Sequence, residues 1–327
     1  MSAHEITSVT AATVATTPAE ASAAGAVYQF TVALPGPLDI AASLEMFRRA
    51  GDDLLDRWDG AWLTRTLRAG QRIIPYAALA RGTVEAPALL VEVAQAEDRA
   101  HVEAALLATF VQPPAEQYAT LLRADAVVAA LDARYPGLRP ARQFDLYAAL
   151  VRCISAQQVN LRWATTTRRR LAEAFGERHT VGPREVYSLS AERMAGVTVA
   201  ELRALQFTTR KAEYLISAAQ EIASGALDAE ALATLPDEAV IARLVALRGV
   251  GRWSAEWILA RTLGRACVVA GDLAVRKVVA RAYLGYAGAR GEPLPDEAAI
   301  RAATAHWSAS AAIAQGLLLH GYAASAT

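Results

Sequence analysis

The chain has 327 residues, 54% of them hydrophobic and 20% charged, a globular composition with room for about two domains. Basic and acidic side chains both number 33, and this zero net charge disfavours a protein that coats nucleic acid. The two cysteines, Cys153 and Cys267, exclude a disulfide framework or a four-cysteine metal site, and without a membrane-length apolar run or signal-peptide pattern we expect a cytoplasmic protein.

The first part of the chain changes character twice. Residues 1–26 are mostly Ala, Ser and Thr, and without large apolar side chains they are predicted to be disordered. Residues 27–113 then mix two periodicities. Val27–Leu34 and Ala88–Ala94 favour strands, whereas Leu38–Ala50 and Asp98–Phe110 have helical spacing. We therefore predict a small α+β N-terminal domain.

Residues 114–327 are predicted to form an all-α domain, which makes the fold class mainly α. Apolar positions recur three and four apart in Tyr118–Tyr135, Phe144–Gln157, Leu161–Phe175, Lys211–Ser224, Asp237–Leu247 and Arg252–Leu263. No repeat of solenoid period is present, so these helices are expected to form one bundle. Residues 139–184 hold nine arginines and three acids, which allows one basic face.

Two glycines mark a tight turn between two predicted helices at Leu247–Ala255. Gly249 and Gly251 flank Val250, and glycines let the backbone adopt positive φ and approach another surface closely. The next helix begins there, and its first N–H groups have no partner inside the helix. This shape suits a phosphate group, although an ordinary helix-to-helix turn has the same glycine pattern.

A carboxylate follows nineteen residues after Trp253, in the segment Gly271–Lys277. Asp272 directly precedes an apolar-periodic helix, Leu273–Leu284, which by itself indicates an N-cap. The helix dipole and the capped N–H groups favour the ionised carboxylate. Because an ionised carboxylate can stabilise a positively charged transition state, the capping and catalytic hypotheses for Asp272 are compatible.

The pattern Leu-x-Gly-Val-Gly-x-x-x-Ala followed by Asp-Leu-Ala-Val-Arg resembles the helix-hairpin-helix DNA glycosylase superfamily, and most closely its 3-methyladenine DNA glycosylase II (alkylation repair) family. Tyr135–Arg139, Ile154–Val159 and Thr208–Leu215 are similar to the family in the same order, so the likeness spans about 118–323. The N-terminal match is weaker and rests on Leu67–Gly70 and the strand Leu89–Val93. The resemblance implies a helix-hairpin-helix bundle preceded by a small α+β domain.

The same resemblance implies an activity. It points to a base excision repair enzyme that flips alkylated purines of the 3-methyladenine or 7-methylguanine type out of double-stranded DNA and hydrolyses the N-glycosidic bond, with Asp272 as the catalytic carboxylate. Relatives that also cleave the strand have a lysine where this chain has Trp253, which implies a monofunctional enzyme. No iron–sulfur cluster or other cofactor is expected, although the hairpin offers a place for a monovalent cation. We expect a monomer without a protein or membrane partner, associated with the nucleoid through DNA.

Family positions suggest the remaining site residues. The candidates for binding the flipped base are Trp253, Trp257, Leu273, Trp307 and Phe47. The candidates for binding DNA are Gln157, Gln158, Leu247, Gly249, Val250, Gly251, Arg252 and Ser254. Gln158 aligns with the side chain that fills the gap left by the flipped nucleotide. Indole faces attract a cationic alkylated base by roughly 0.5–2 kcal/mol.

Structural interpretations compete with several of these assignments. Trp257 fits core packing equally well, and the glutamine pair fits an exposed helix end. Arg168, Arg169 and Arg170 are typical of a solvated helix face, and Trp58, Trp62 and Trp163 are assigned to structure.

Two other functions are compatible with the same scaffold. One is a non-catalytic DNA-binding module in which Asp272 only caps a helix. The other is a glycosylase for an oxidised or deaminated base, which would require hydrogen-bond recognition that the sequence does not place. A helical small-molecule enzyme is disfavoured, since the chain has neither a dinucleotide glycine fingerprint nor a phosphate loop, and its five histidines lack ligand spacing.

Overall fold

The computed structural model describes residues 27–324, so the prediction of disorder for 1–26 lies outside the described residues. The first part of this range contains the strands β1 Tyr28–Ala33, β2 Arg57–Trp58, β3 Trp62–Ala69, β4 Arg72–Gly82 and β5 Pro87–Val93. They form one antiparallel sheet in the order β1-β5-β4-β3-β2. The two strands predicted at the ends of this part, β1 and β5, are adjacent and pair from Tyr28–Val93 to Ala33–Ala88.

Three of the five strands, β2 to β4, were not predicted from the sequence. β4 contains Pro75, which is rare inside strands, and β3 contains Arg65, which interrupts the apolar alternation. The structure buries Arg65 to 3% exposure and pairs its guanidinium with Asp56. A buried charge with a partner distant in sequence cannot be recognised from strand periodicity.

Two helices belong to this N-terminal part: α1 Ile40–Leu44 and α2 Arg99–Thr109. α1 is shorter than predicted, because the chain tightens into a 3₁₀ turn at Glu45–Phe47. Asp39 caps α1 by accepting a hydrogen bond from the backbone N–H of Ala42 at 2.9 Å. Both helices contribute to the apolar core beneath the sheet. The end of α1 and its 3₁₀ turn lie close to the helical part.

The rest of the described chain is dominated by helices: α3 Ala115–Ala124, α4 Ala126–Arg134, α5 Leu146–Ala156, α6 Leu161–Phe175, α7 Ala191–Met194, α8 Val199–Ala204, α9 Thr209–Ala223, α10 Ala229–Thr234, α11 Asp237–Val245, α12 Arg252–Arg261, α13 Leu273–Tyr283, α14 Glu297–Thr304 and α15 Ala311–Ala324. The helix predicted over Tyr118–Tyr135 is divided at Asp125, whose side chain caps α4 through the N–H groups of Val127 and Val128.

A β-hairpin interrupts the helices where only helix was expected. Its strands are β6 Glu177–Val181 and β7 Arg184–Ser188, joined by a turn in which Gly182 has φ 53°. Arg184 binds Glu92 of the sheet at 2.9 Å, so the hairpin fastens the helical part to the N-terminal part. The prediction of a purely helical region is wrong at these ten strand positions.

Three apolar cores support the fold: one beneath the sheet, one around α5, α9 and α12, and one around α13 and α15. A mainly helical fold preceded by a small α+β part is therefore confirmed. No helix within residues 27–324 has the length and apolarity required to cross a membrane. A cavity lined by residues of all three cores contains four of the candidate site residues.

Candidate active site

The turn between α11 and α12 has the geometry of a hairpin with an open helix end. Gly249 has φ 81°, and a Cβ atom at this position would lie 2.0 Å from the Tyr214 ring, so glycine is required there. Val250 is 4% exposed and anchors the turn in the helical core. Gly251 is the exposed N-cap of α12, and no side chain of the described residues caps this helix. The first N–H groups of α12 are therefore available to an anion.

Asp272 combines the two roles considered for it. Its Oδ1 accepts hydrogen bonds from the backbone N–H groups of Ala274 at 2.8 Å and Val275 at 2.9 Å, which caps α13. Its Oδ2 accepts a hydrogen bond from Nε1 of Trp253 at 3.1 Å. The cap and the indole together fix both oxygens. The carboxylate is thereby held at the junction of α12 and α13, on the wall of the cavity.

The cavity has a volume of about 430 Å³ and lies between the 3₁₀ turn after α1 and the helices α5, α6, α12, α13 and α15. This volume falls within the usual range for small-molecule sites, roughly 300–1,000 Å³. Trp253 and Trp257 line it from one face of α12, and Phe47 lines it from the N-terminal part. The arrangement offers aromatic walls and one carboxylate to a planar guest.

The structure thus brings four predicted residues together: Asp272, Trp253, Trp257 and Phe47. It does not bring Trp307 to them. That side chain is 1% exposed in the C-terminal core, and its Nε1 donates to Asp125 at 3.2 Å. Trp307 lies outside the cavity lining, and its role in base stacking stays a prediction.

Leu273 also lies outside the cavity lining, since its side chain is 58% exposed on the first turn of α13. An apolar side chain that projects into solvent beside the carboxylate suits a surface contact better than a base contact. Its assignment to base binding stays a prediction.

The predicted DNA-binding residues differ in their exposure and in their contacts. Gln158 is exposed in a left-handed conformation with φ 55°, while Gln157 donates from Nε2 to the carbonyl of Gly249 at 2.7 Å. Leu247 and Val250 face the helical core. Ser254 is 1% exposed, and its contact with DNA stays a prediction.

The charge of Arg252 is already engaged by carboxylates. Its guanidinium lies 2.8 Å from Glu238 and 2.9 Å from the buried Glu256. A phosphate would have to displace the exposed Glu238 to use this arginine. Arg252 is consequently a weaker candidate for DNA binding than the open amides of α12.

Sequence reasoning missed several polar residues in the cavity wall, among them Arg261 and Gln143. Burial lowers the pKa of Arg261 to about 10, and the charge of Asp272 opposes that change. A signal for Arg261 was available, because it follows Trp253 and Trp257 at the same four-residue spacing on α12. Gln143 lies in a loop, where no periodicity indicates its direction.

A buried ion network supports the cavity from the N-terminal part. Arg152 of α5 binds Asp53 at 2.6 Å and Asp56 at 2.7 Å, and Arg168 of α6 binds Asp53 at 2.8 Å. Burial alone would raise the pKa of Asp53, but the charges and hydrogen bonds of the two arginines outweigh it and lower the pKa to about 2. Arg168 is 7% exposed, so its assignment to a solvated face is wrong.

The fold and this site define a helix-hairpin-helix protein with a carboxylate in an aromatic cavity. Residues 151–293 match the family model described as HhH-GPD superfamily base excision DNA repair protein, which covers the hairpin and Asp272. The solved structure of a 3-methyladenine DNA-glycosylase from Archaeoglobus fulgidus superposes with a TM-score of 0.76 at 21% identity, covering 91% of this chain and 100% of that one.

Two curated relatives support the resemblance. The chain is 36% identical over 123 residues to the putative DNA-3-methyladenine glycosylase YfjP of Bacillus subtilis, covering 37% of this chain and 42% of that protein. It is 31% identical over 144 residues to the DNA-3-methyladenine glycosylase of the same organism, covering 44% and 48%. The chain thus spans about half the length of these relatives. The resemblance predicted from the hairpin and Asp272 motifs is confirmed.

Proposed function

We propose that the protein is a monofunctional DNA glycosylase that excises alkylated purines from double-stranded DNA in base excision repair. The observation that carries this proposal is the position of Asp272, whose Oδ2 is held by Trp253 at 3.1 Å in the wall of an aromatic cavity beside the hairpin. The names of the relatives point to the same activity.

The cavity walls suit binding of a flipped base. A base inside a duplex is unreachable, so it must be extruded into a pocket and held there by stacking. Alkylation of a ring nitrogen, as in 3-methyladenine or 7-methylguanine, makes the base cationic, and the indole faces of Trp253 and Trp257 attract a cation by roughly 0.5–2 kcal/mol. The open amides of α12 and the exposed Gln158 would hold the DNA backbone and fill the gap.

Asp272 would act on the bond that breaks. Departure of the base leaves positive charge on the sugar, and a fixed anion nearby stabilises that charge or orients the attacking water. The oxygen of water bonds to C1′ of the sugar and releases a proton to solvent, while the C1′–N bond breaks and the cationic base leaves as a neutral molecule with the electron pair, without a covalent link to the protein. Trp253 occupies the position where strand-cleaving relatives are expected to have lysine, so no Schiff base forms.

Two further properties are proposed for the protein: that it acts without a cofactor and that it acts as a monomer. With two cysteines the chain has too few thiolates for a four-cysteine cluster, so the reaction would proceed without a cofactor. Action as a monomer on cytoplasmic, nucleoid DNA is proposed on the same basis as the activity.

The test measures release of methylated purines from alkylated duplex DNA, together with binding to an abasic-site analogue. We expect wild type to release 3-methyladenine and Asp272→Asn to lose at least a hundredfold in rate while it still binds the analogue. Asp296→Asn is the matched control, because Asp296 also caps a helix, α14, outside the cavity. Binding without release by wild type would identify a non-catalytic DNA-binding protein instead.

A further inference from the structure

Gln158 lies on a strained turn between α5 and α6. Its backbone has φ 55°, in the left-handed region that side chains with a Cβ atom rarely adopt. The residue is exposed, so no burial of its own offsets the strain. Two residues later, Asn160 caps α6 by accepting a hydrogen bond from the N–H of Trp163 at 2.8 Å. Such a conformation persists only where the surrounding structure fixes it, and it is most frequent at binding and catalytic sites.

The last turn of α5 is held from two other helices. Lys211 of α9 donates from Nζ to the backbone carbonyl of Ser155 at 2.9 Å. Arg168 of α6, which Asp53 binds at 2.8 Å, donates to Oγ of the same serine at 3.1 Å. Ser155 is 1% exposed, so water competes weakly for both hydrogen bonds. The chain is therefore anchored three residues before Gln158.

The charge of Lys211 suits this position. The last carbonyls of a helix have no partner inside the helix and carry partial negative charge, which a nearby cation stabilises. Burial lowers the pKa of Lys211, and no carboxylate among residues 27–324 counteracts it. A partly buried ammonium without a counter-ion is costly. Packing alone does not require a charge here, so the contact with Ser155 needs a further reason.

We propose that Lys211 is a positioning residue for base flipping: it holds the end of α5, so that Gln158 enters the gap in the duplex as the nucleotide leaves. The inference rests on the proposed glycosylase function and on the predicted role of Gln158. A side chain that pushes between stacked bases needs a backbone that resists displacement, and Lys211 supplies that resistance from α9. Cleavage of the glycosidic bond beside Asp272 does not depend on Lys211.

The pairing state of the lesion separates these two steps. Extrusion of a base costs least when the base is already unpaired. Dependence on Lys211 should therefore be large for a lesion within a base pair and small for a lesion without a pairing partner. A residue that only stabilises the fold, or that takes part in bond cleavage, would affect both substrates equally.

The experiment measures single-turnover release of 3-methyladenine from two duplexes. In one the lesion lies opposite thymine, and in the other it lies opposite a tetrahydrofuran residue, which offers no base. The variants are Lys211→Met, which keeps the stem without the charge, and Lys211→Arg, which keeps a cation. Arg243→Met is the matched control, because the exposed Arg243 donates to a backbone carbonyl just after the other end of α9, that of Ala226.

We expect Lys211→Met to slow release at least tenfold opposite thymine and less than threefold opposite the tetrahydrofuran residue. Lys211→Arg should stay within threefold of wild type on both duplexes, and the control should keep both rates. Equal slowing on the two duplexes, or unchanged release from both, would overturn the inference.

A double variant tests whether Lys211 acts through Gln158. Gln158→Ala should slow release opposite thymine by a similar factor, and the addition of Lys211→Met should slow it less than threefold further. Effects of the two substitutions that simply multiply would contradict the proposed coupling. Binding of Lys211→Met to undamaged duplex should keep the salt dependence of wild type, since a shallower dependence would identify a direct phosphate contact instead.

The failure of this inference can be distinguished from that of the proposed function. Wild type that releases 3-methyladenine, with Lys211→Met showing no difference between the two duplexes, refutes the inference alone. Wild type that releases no 3-methyladenine from either duplex refutes both. If thermal unfolding shows that Lys211→Met does not fold, Lys211→Gln, a neutral hydrogen-bond donor, takes its place in the comparison with the same expected pattern.

Discussion

Gln157 and Gly249 are joined by a hydrogen bond of 2.7 Å from the side-chain Nε2 to the backbone carbonyl, across 92 positions of sequence. The bond connects the C-terminal end of α5 to the hairpin. It therefore sets the spacing between the two surfaces proposed to contact DNA, the exposed Gln158 and the open end of α12. Gln157 is a positioning residue in this arrangement, and its neighbour Gln158 is the residue proposed to contact DNA directly.

Loss of this bond should weaken DNA binding. A buried hydrogen bond contributes about 1 kcal/mol, so Gln157→Ala is expected to weaken binding to an abasic-site analogue about fivefold. Fluorescence anisotropy measures the affinity. Gln220→Ala serves as the control, because Gln220 donates a side-chain hydrogen bond to the carbonyl of Ala195 instead of the hairpin. Equal effects of the two substitutions would show that the link between α5 and the hairpin is unimportant for binding.

The two hairpin glycines should respond differently to alanine. At Gly249, where φ is 81° and an added Cβ atom would lie 2.0 Å from the Tyr214 ring, alanine is both strained and crowded. Gly249→Ala should lower the free energy of unfolding by about 2–4 kcal/mol. Gly251 has φ −96° and open space around it, so Gly251→Ala should leave the melting temperature within about 2 °C.

Affinity for DNA should test the role of Gly251 separately from stability. If DNA phosphate approaches the start of α12, the added methyl of Gly251→Ala blocks it and weakens binding to the abasic analogue, by our expectation about tenfold. Unchanged affinity in Gly251→Ala, with the melting temperature preserved, would place the phosphate elsewhere.

The parts of the site that were predictable from sequence are local. Asp272 precedes a helix with clear apolar periodicity, so its capping role follows from neighbours two and three residues away. The hairpin is equally local, because Gly249 and Gly251 punctuate two periodic segments. Trp253 lies two residues after Gly251 in the sequence, and it lines the cavity wall together with Asp272.

The parts that were not predictable depend on partners far away in the chain. Arg168 is in an arginine triplet that resembles a solvated face, and only Asp53, 115 positions earlier, makes its burial possible. Trp307 turns into the core because Asp125, 182 positions earlier, accepts its N–H. Neither pairing leaves a periodic signal, so the burial of these two side chains could not be predicted from the sequence.

Asp53 should make the fold sensitive to acid. Its pKa is about 2 in the folded chain against 3.8 for an ordinary aspartate, so the folded state favours the ionised form. The stabilisation is complete above about pH 4 and is lost as the pH falls toward 2; it corresponds to about 2 kcal/mol. Denaturant titrations at pH 7, 4, 3 and 2 measure the free energy of unfolding.

The matched variants for this network are two neighbouring aspartates. Asp53→Asn leaves Arg152 and Arg168 without their shared carboxylate and should cost about 3–5 kcal/mol at pH 7. Asp52→Asn removes the charge of a half-buried pair with Arg57 but keeps an oxygen for the N–H of Leu54, so it should cost under about 1 kcal/mol. A similar loss for both variants would contradict the stabilising role of the buried network.

Trp253 and Trp307, which the sequence predicted in one site, should respond differently to substitution by phenylalanine. Trp253→Phe keeps an aromatic wall but removes the N–H that holds Oδ2 of Asp272, so single-turnover excision should slow about tenfold with little change in stability. Trp307→Phe loses volume in the core and the hydrogen bond to Asp125, so it should lose about 1–3 kcal/mol of stability. At a temperature where the fold is intact, its excision rate should stay within threefold of wild type. If Trp307→Phe instead slows excision as much as Trp253→Phe while fully folded, then Trp307 reaches the base during the reaction, through a rearrangement that exposes an indole now buried.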